Sequence, residues 1–105
     1  MAITRGNLFV AREPPLTGER FETVASVSSV RIEQIVSSSS PDLAPYDQPQ
    51  DEWVVLLTGD ATLEVAGERL ELCAGDHVLL PAHTPHRVLR TSHGAHWLAV
   101  HVPRS

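Results

Sequence analysis

The fold is decided by one stretch of the chain, which reads Gly75-Asp76-His77-Val78-Leu79-Leu80-Pro81-Ala82-His83-Thr84-Pro85-His86. Its Gly-Asp pair indicates a turn, because glycine tolerates positive φ and aspartate bonds to its own backbone. The apolar run that follows is typical of a short buried strand. Pro81 ends that strand, since proline has no N–H to donate to a sheet ladder. Because neutral imidazole is the commonest protein metal ligand, His83 and His86 predict a site at the mouth of a β-barrel.

Short strand-like segments lie on both sides of this stretch, separated by turn residues. The predicted strands span 7–10, 21–27, 30–36, 52–58, 61–66, 68–72, 78–80, 86–91 and 96–102. Regular spacing of short strands without a helical period is typical of an all-β sandwich or barrel. Alternation within the strands predicts a core made of Val54, Leu56, Leu63, Val65, Leu70, Leu72, Val78, Leu80 and Val88.

Length and composition restrict the class of protein. The 105 residues are enough for one domain, spanning 1–105, with a single hydrophobic core. One cysteine excludes an internal disulfide framework, and no apolar run approaches the ~20 residues of a membrane-spanning helix. The net charge of −5 and the lack of a basic cluster argue against a nucleic-acid partner, which usually meets a basic face. The lack of any lysine excludes Schiff-base chemistry on lysine. We expect a soluble cytoplasmic protein without membrane or nucleic-acid partners.

The spacing around the central stretch resembles the second motif of the cupin family. That motif is Gly, five residues, Pro, one residue, Gly, two residues, His, three residues, Asn. Gly75, Pro81 and His86 match it, whereas His83 replaces the second glycine and Arg90 replaces the asparagine.

The first cupin motif is His, one residue, His, three or four residues, Glu, six residues, Gly. Glu52 and Gly59 match its second half. The paired histidines are missing, and with the shorter spacing their places fall on Tyr46 and Gln48. With the longer spacing they fall on residues 45 and 47. The resemblance implies an all-β, single-domain jelly-roll barrel and, because cupins of this size commonly pair, a homodimer.

The resemblance also implies a site in the barrel cavity. His86 holds a metal-ligand position of the family and Glu52 holds its glutamate position, so both are candidate ligands of a divalent transition metal such as zinc, nickel, iron or manganese. His83 and Gln48 are further candidate ligands, although an amide oxygen is weaker than imidazole for such metals. Tyr46 and Arg90 are candidates for contact with a small organic ligand.

The other four histidines are interpreted as residues without a site role. His77 alternates with the apolar positions of its strand and is expected in solvent. His93 and His96 flank a turn and are also expected to be solvated. His101 is expected on the outer sheet face, because the alternate positions 98, 100 and 102 are the more apolar set of the last strand.

Three functions remain open on the sequence. The first is a small metal-binding cupin that also takes a small organic molecule and acts on it as an enzyme. The second is a non-catalytic small-molecule binding module. The third is a metal-free isomerase with His86 as general base and Glu52 or Tyr46 as its partner. No nucleophile–base–orienter set is present in the pattern, so the sequence assigns no catalytic residue.

Overall fold

The computed structural model describes residues 3–104 and contains eight strands. They are β1 (Glu19–Val27), β2 (Val30–Ser37), β3 (Gln50–Thr58), β4 (Asp60–Val65), β5 (Glu68–Cys73), β6 (His77–Leu80), β7 (His86–Thr91) and β8 (His96–Pro103). No helix long and apolar enough to cross a membrane occurs in the described part of the chain. All eight elements are β-strands, so the predicted all-β class is confirmed.

The strands form two antiparallel sheets that face each other across the core. The larger sheet has the strand order β1-β2-β8-β3-β6, and the smaller one has the order β5-β4-β7. The pairs β1–β2 and β4–β5 are hairpins, and the chain crosses between the two sheets after β3, β5, β6 and β7. This arrangement is that of a jelly roll, as predicted, and its inner faces enclose a single core.

The predicted strands are found with shifts of one or two residues at their ends, with one exception. The segment 7–10, predicted as an edge strand, forms turns instead, and it packs Phe9 against the ring of His96 at 6.0 Å between centroids. Three apolar residues in a short segment are compatible with a strand, but tertiary packing determines whether a partner strand is available.

The predicted core is correct in its main members. Val54, Leu56, Leu63, Leu80 and Val88 are buried, and the other four predicted residues pack against them at partial exposure. The prediction was wrong for β8, where Trp97, Ala99 and His101 face inward and are buried, whereas Val102 is 42% exposed. The more apolar set of that strand thus lies on the outer face.

The outer surface carries one of the two tryptophans and some of the histidines. Trp53 lies on the outer face of β3, near His77 at 5.7 Å between ring centroids. His77 and His93 are exposed, as predicted. His96 is buried and its Nε2 lies 2.9 Å from Oε1 of Gln34, so its predicted solvation was wrong. The homodimer stays a prediction.

Candidate functional site

A cavity of about 70 Å³ lies between the two sheets, and we call it the inner cavity. Its apolar wall comes from the core, including Val54, Leu63 and Trp97. Its polar lining consists of Glu19, Glu33, Tyr46, Gln48, Glu52, His86 and His101. Three carboxylates and two imidazoles in one apolar enclosure are unusual, because burying a charge is unfavourable without a partner. The inner cavity is therefore the candidate site.

The loop between β2 and β3 reaches the inner cavity by pairing with the segment that precedes β7. Tyr46 and His86 exchange backbone hydrogen bonds of 2.7 and 3.0 Å, and the N–H of His83 donates to the carbonyl of Gln48 at 2.7 Å. The ring of Tyr46 also stacks on the imidazole of His86 at 5.7 Å between centroids. These bonds bring the first-motif positions 46 and 48 beside the second-motif histidine.

His86 presents one ring nitrogen to the inner cavity. Its Nδ1 lies 3.0 Å from the backbone carbonyl oxygen of Thr84, which can only accept a hydrogen bond. Nδ1 therefore carries the proton in the neutral ring, and Nε2 keeps its lone pair. Nε2 lies 3.9 Å from Oε1 of Glu52, whose side chain is 9% exposed. A basic nitrogen thus faces a buried carboxylate.

The electrostatics of Glu52 follow from its burial. Removal from water raises the pKa of this carboxyl, and the charge of Glu33 raises it further, whereas the nearby His101 and His86 lower it. Glu52 is paired directly with His101 across the β3–β8 ladder, so both side chains lie on the same sheet face.

His101 is tied to two polar side chains. Its Nε2 lies 2.8 Å from Oε1 of Glu33, and its Nδ1 lies 3.3 Å from Nε2 of Gln50. The imidazole is 5% exposed. With both ring nitrogens engaged, His101 has no free lone pair for a further ligand. Its role is to hold Glu33 in place and to provide a polar partner for that buried carboxylate.

Four of the six predicted site residues meet in the inner cavity, and two do not. Tyr46, Gln48, Glu52 and His86 all line it. His83 points into solvent with a 71% exposed side chain, and its Nδ1 lies 3.1 Å from Oδ1 of Asp47. Arg90 is also exposed and pairs with Asp60 at 2.6 Å. His83 and Arg90 therefore lie outside the cavity.

Sequence reasoning missed Glu19, Glu33 and His101 as cavity residues. The charge of Glu33 beside the apolar Ile32 suggests an outward side chain, yet Glu33 is 8% exposed. The signal that could have located it is the alternation of Glu33 with Ile35, since Ile35 belongs to the core. In β8 the corresponding signal was the alternation of His101 with Trp97.

Fold and site define a small all-β protein whose two facing sheets enclose a polar cavity. A family model described as "Cupin domain" matches residues 37–101. The chain belongs to the cupin family. This span contains both motif regions, so the resemblance inferred from residues 46–90 is confirmed.

Solved structures agree with this assignment. A protein from Ralstonia eutropha JMP134, described as a "putative mannose-6-phosphate isomerase", is 36% identical over 95% of this chain and 98% of its own, with a TM-score of 0.84. KdgF from Halomonas sp. is 20% identical over 84% of this chain and 81% of its own, with a TM-score of 0.76.

An RmlC-like cupin from Desulfovibrio desulfuricans is 19% identical over 97% of this chain and 98% of its own, with a TM-score of 0.82. This likeness and that to KdgF concern the fold alone. Among curated proteins, none matches this chain.

Proposed function

We propose that the inner cavity binds a divalent transition-metal ion, such as zinc, nickel, iron or manganese, through Gln48, Glu52 and His86, together with a small organic ligand. The observation that carries this proposal is the Oε1 atom of Gln48. It is buried, lines the same cavity as His86 and Glu52, and has no hydrogen-bond partner within residues 3–104. A buried acceptor without a partner is unfavourable, and a cation in the cavity would satisfy it.

The donor set fits such an ion. No group of three or more His, Cys, Asp or Glu side chains in the described chain is arranged to hold a metal, so we assign the third donor position to the amide oxygen of Gln48. Two donors bound at about 2.0–2.2 Å to one zinc ion lie no more than about 4.4 Å apart. The 3.9 Å between His86 Nε2 and Glu52 Oε1 is within that limit.

The surroundings of His86 also favour a ligand role. Histidines that bind metals usually donate their second ring N–H to a backbone carbonyl or a carboxylate, which fixes the tautomer. Nδ1 of His86 makes this contact with Thr84. An ion held here would act as a Lewis acid toward an oxygen of the organic ligand.

The size of the inner cavity limits its occupant. Small-molecule sites usually measure about 300–1,000 Å³, whereas the inner cavity holds about 70 Å³. A water molecule takes up about 30 Å³ in the liquid. The inner cavity thus accommodates an ion with little more than a water molecule or a ligand's head group, and the rest of a ligand must lie outside it.

A metal-free isomerase is the second candidate, favoured by the lone pair of His86 beside Glu52 and by the description of the Ralstonia eutropha structure. His86 would remove a proton from the ligand and return it at another position. The phosphate of mannose 6-phosphate is a poor fit, because the lining residues of the inner cavity, within the described chain, include no arginine.

Titration calorimetry with zinc, nickel and manganese chlorides on the chelator-treated protein tests the proposal. His86→Ala should lower zinc affinity at least about tenfold, because it removes the strongest donor. His83→Ala is the matched control, since His83 lies in solvent, and its affinity should equal that of the unmodified protein. Equal affinity in the unmodified protein and His86→Ala would overturn the metal proposal and leave the acid–base candidate.

A further inference from the structure

A groove outside the inner cavity continues it toward solvent. We call it the entrance groove; it measures about 570 Å³, and its lining includes Glu19, Phe21, Asp42 and Tyr46. Glu19, Phe21 and Tyr46 line both spaces. The groove has the size of a small-molecule site, so most of a ligand, including a charged group, could lie there while one end enters the inner cavity.

The acidic side chains that line this path are not matched by lining cations. Glu19 and Asp42 lie in the entrance groove, and Glu52 and Glu33 lie further in, with Arg31 at 3.7 Å from Glu33. No arginine is among the described lining residues of either space, and the chain has no lysine. Such a path disfavours phosphate and carboxylate groups and attracts cations.

The pKa of the Glu19 carboxyl is raised, mainly by burial and in part by the charges of Glu52, Glu33 and Asp42. A cation between these groups would offset their mutual repulsion.

Two aromatic rings stand at the entrance beside the carboxylates. Phe21 is 51% exposed although it lies in β1, and Tyr46 is half-buried with its ring against His86. Aromatic faces attract ammonium and guanidinium groups. The combination of aromatic rings with carboxylates is suited to an organic cation, whereas carboxylates alone would not distinguish it from a metal ion.

We propose that the organic ligand of this site is a small alkylammonium compound, held by Glu19 and Asp42 and flanked by Phe21 and Tyr46. This inference rests on the proposal that the cavity takes an organic ligand beside the metal. It adds the ligand's chemical class, a protonated amine, and excludes phosphorylated and carboxylated compounds.

A hydrogen-bonded chain provides a built-in reporter of binding. Nε1 of Trp97 donates to Oγ of Ser37 at 3.0 Å, and this hydroxyl donates to Oε2 of Glu19 at 2.7 Å. The indole N–H resonance of Trp97 should therefore respond when a cation engages Glu19. Trp53, on the outer face, is the internal reference, because these are the two tryptophans of the chain.

The experiment compares three probes with the same four-carbon skeleton: n-butylammonium chloride, n-butanol and sodium butyrate. Each is titrated into metal-free and zinc-loaded protein at constant ionic strength, and the two indole N–H shifts are followed by NMR. Butylammonium should move the Trp97 signal to saturation with an affinity about tenfold above that of butanol, as expected for a cation near carboxylates and aromatic rings. Butyrate should have no effect, and the Trp53 signal should stay in place.

Two variants test the residues. Glu19→Gln and Asp42→Asn should each weaken butylammonium binding by about threefold to tenfold. The amide oxygen that Asp42→Asn introduces can still accept a bond such as the 3.0 Å one that the N–H of Ala44 donates to Asp42, so the loop should persist. Glu68→Gln removes the same charge from an exposed site on β5 and should change nothing.

The outcomes separate this inference from the metal proposal. Butanol or butyrate binding as tightly as butylammonium, or no Trp97 shift with any probe, would overturn the inference even if zinc binds. Unchanged affinity in both groove variants would overturn it as well. A selective butylammonium shift without zinc binding would support it while the metal proposal fails.

Discussion

Nε2 of His86 lies 3.9 Å from Oε1 of Glu52, although the two residues belong to opposite sheets. His86 begins β7 of the smaller sheet, and Glu52 lies in β3 of the larger one. Their side chains meet because both point into the space that the sheets enclose. The buried charge of Glu52 lowers the stability of the fold, whereas a bound cation would need that charge. Mutation of Glu52 can separate these two effects.

Glu52→Gln should raise stability at neutral pH while it weakens metal binding. Burial raises the pKa of Glu52 in the folded protein above its ordinary value of about 4.5. The folded state then binds more protons than the unfolded state, so the free energy of unfolding falls as pH rises above that value. The variant avoids this loss, and its Tm at pH 7.5 should exceed that of the unmodified protein by roughly 2–6 °C.

Thermal unfolding at pH 4 and pH 7.5, followed by circular dichroism, gives the comparison. The advantage of Glu52→Gln should shrink or vanish at pH 4, where the carboxyl is protonated in both states. Glu68→Gln, at an exposed position, is the control. A variant less stable than the unmodified protein at pH 7.5 would show that attraction to His86 and His101 exceeds the effect of burial.

His96 should lower the stability of the protein as pH falls, whereas Glu52 lowers it as pH rises. Burial lowers the pKa of its imidazole, and the charge of Arg12 lowers it further. The unfolded state then takes up protons first, so the free energy of unfolding due to this residue falls as pH drops below about 6.5. In urea unfolding, His96→Gln should lose less stability between pH 7 and pH 5 than the unmodified protein does.

His93→Gln is the matched control for that measurement, because His93 is exposed in the neighbouring turn. Its pH dependence should be that of the unmodified protein. An identical pH dependence for His96→Gln and His93→Gln would contradict the role given to burial at position 96.

Gly59→Ala should destabilise the protein more than Gly67→Ala does. Both glycines have positive φ, +91° at Gly59 and +82° at Gly67, where a Cβ is unfavourable by about 1–2 kcal/mol. At Gly59 the added Cβ would also lie 2.6 Å from Oγ of Ser92 and 3.0 Å from Cα of Ala95, whereas at Gly67 it meets no atom within 4 Å.

We expect Gly59→Ala to lower the free energy of unfolding by at least about 1 kcal/mol more than Gly67→Ala. Urea unfolding of the two variants measures the difference. Equal losses would mean that the turn between β3 and β4 moves away from Ser92 without strain.

Leu56→Ala should remove roughly 2–5 kcal/mol of stability. Leu56 is fully buried in the middle of β3 and belongs to the core cluster. Leu79→Ala is a useful comparison, since Leu79 is 62% exposed in β6 and should lose less than about 1 kcal/mol. Chemical denaturation measures both, and a similar loss in the two variants would contradict the assignment of inner and outer faces.

Much of the fold could be predicted because its signals are local. Turn residues such as Gly59 and Gly75 have positive φ, and the period of two within β3 and β4 places Val54, Leu56 and Leu63 inside. The spacing of Gly75, Pro81 and His86 gave the family. For the same reason Tyr46, Gln48, Glu52 and His86 could be proposed together before their distances were known.

The sequence by itself determined the eight strands, the family and four of the seven polar residues that line the inner cavity. Only the tertiary structure decided which face of β8 is inside. Hydrophobicity favoured the face with residues 98, 100 and 102, but a strand that lines a polar cavity need not bury its more apolar face. The same holds for Glu33 and His101, whose burial depends on their 2.8 Å contact between two strands. A charged residue is buried where a partner from elsewhere in the chain meets it, and sequence periodicity carries no information about that partner.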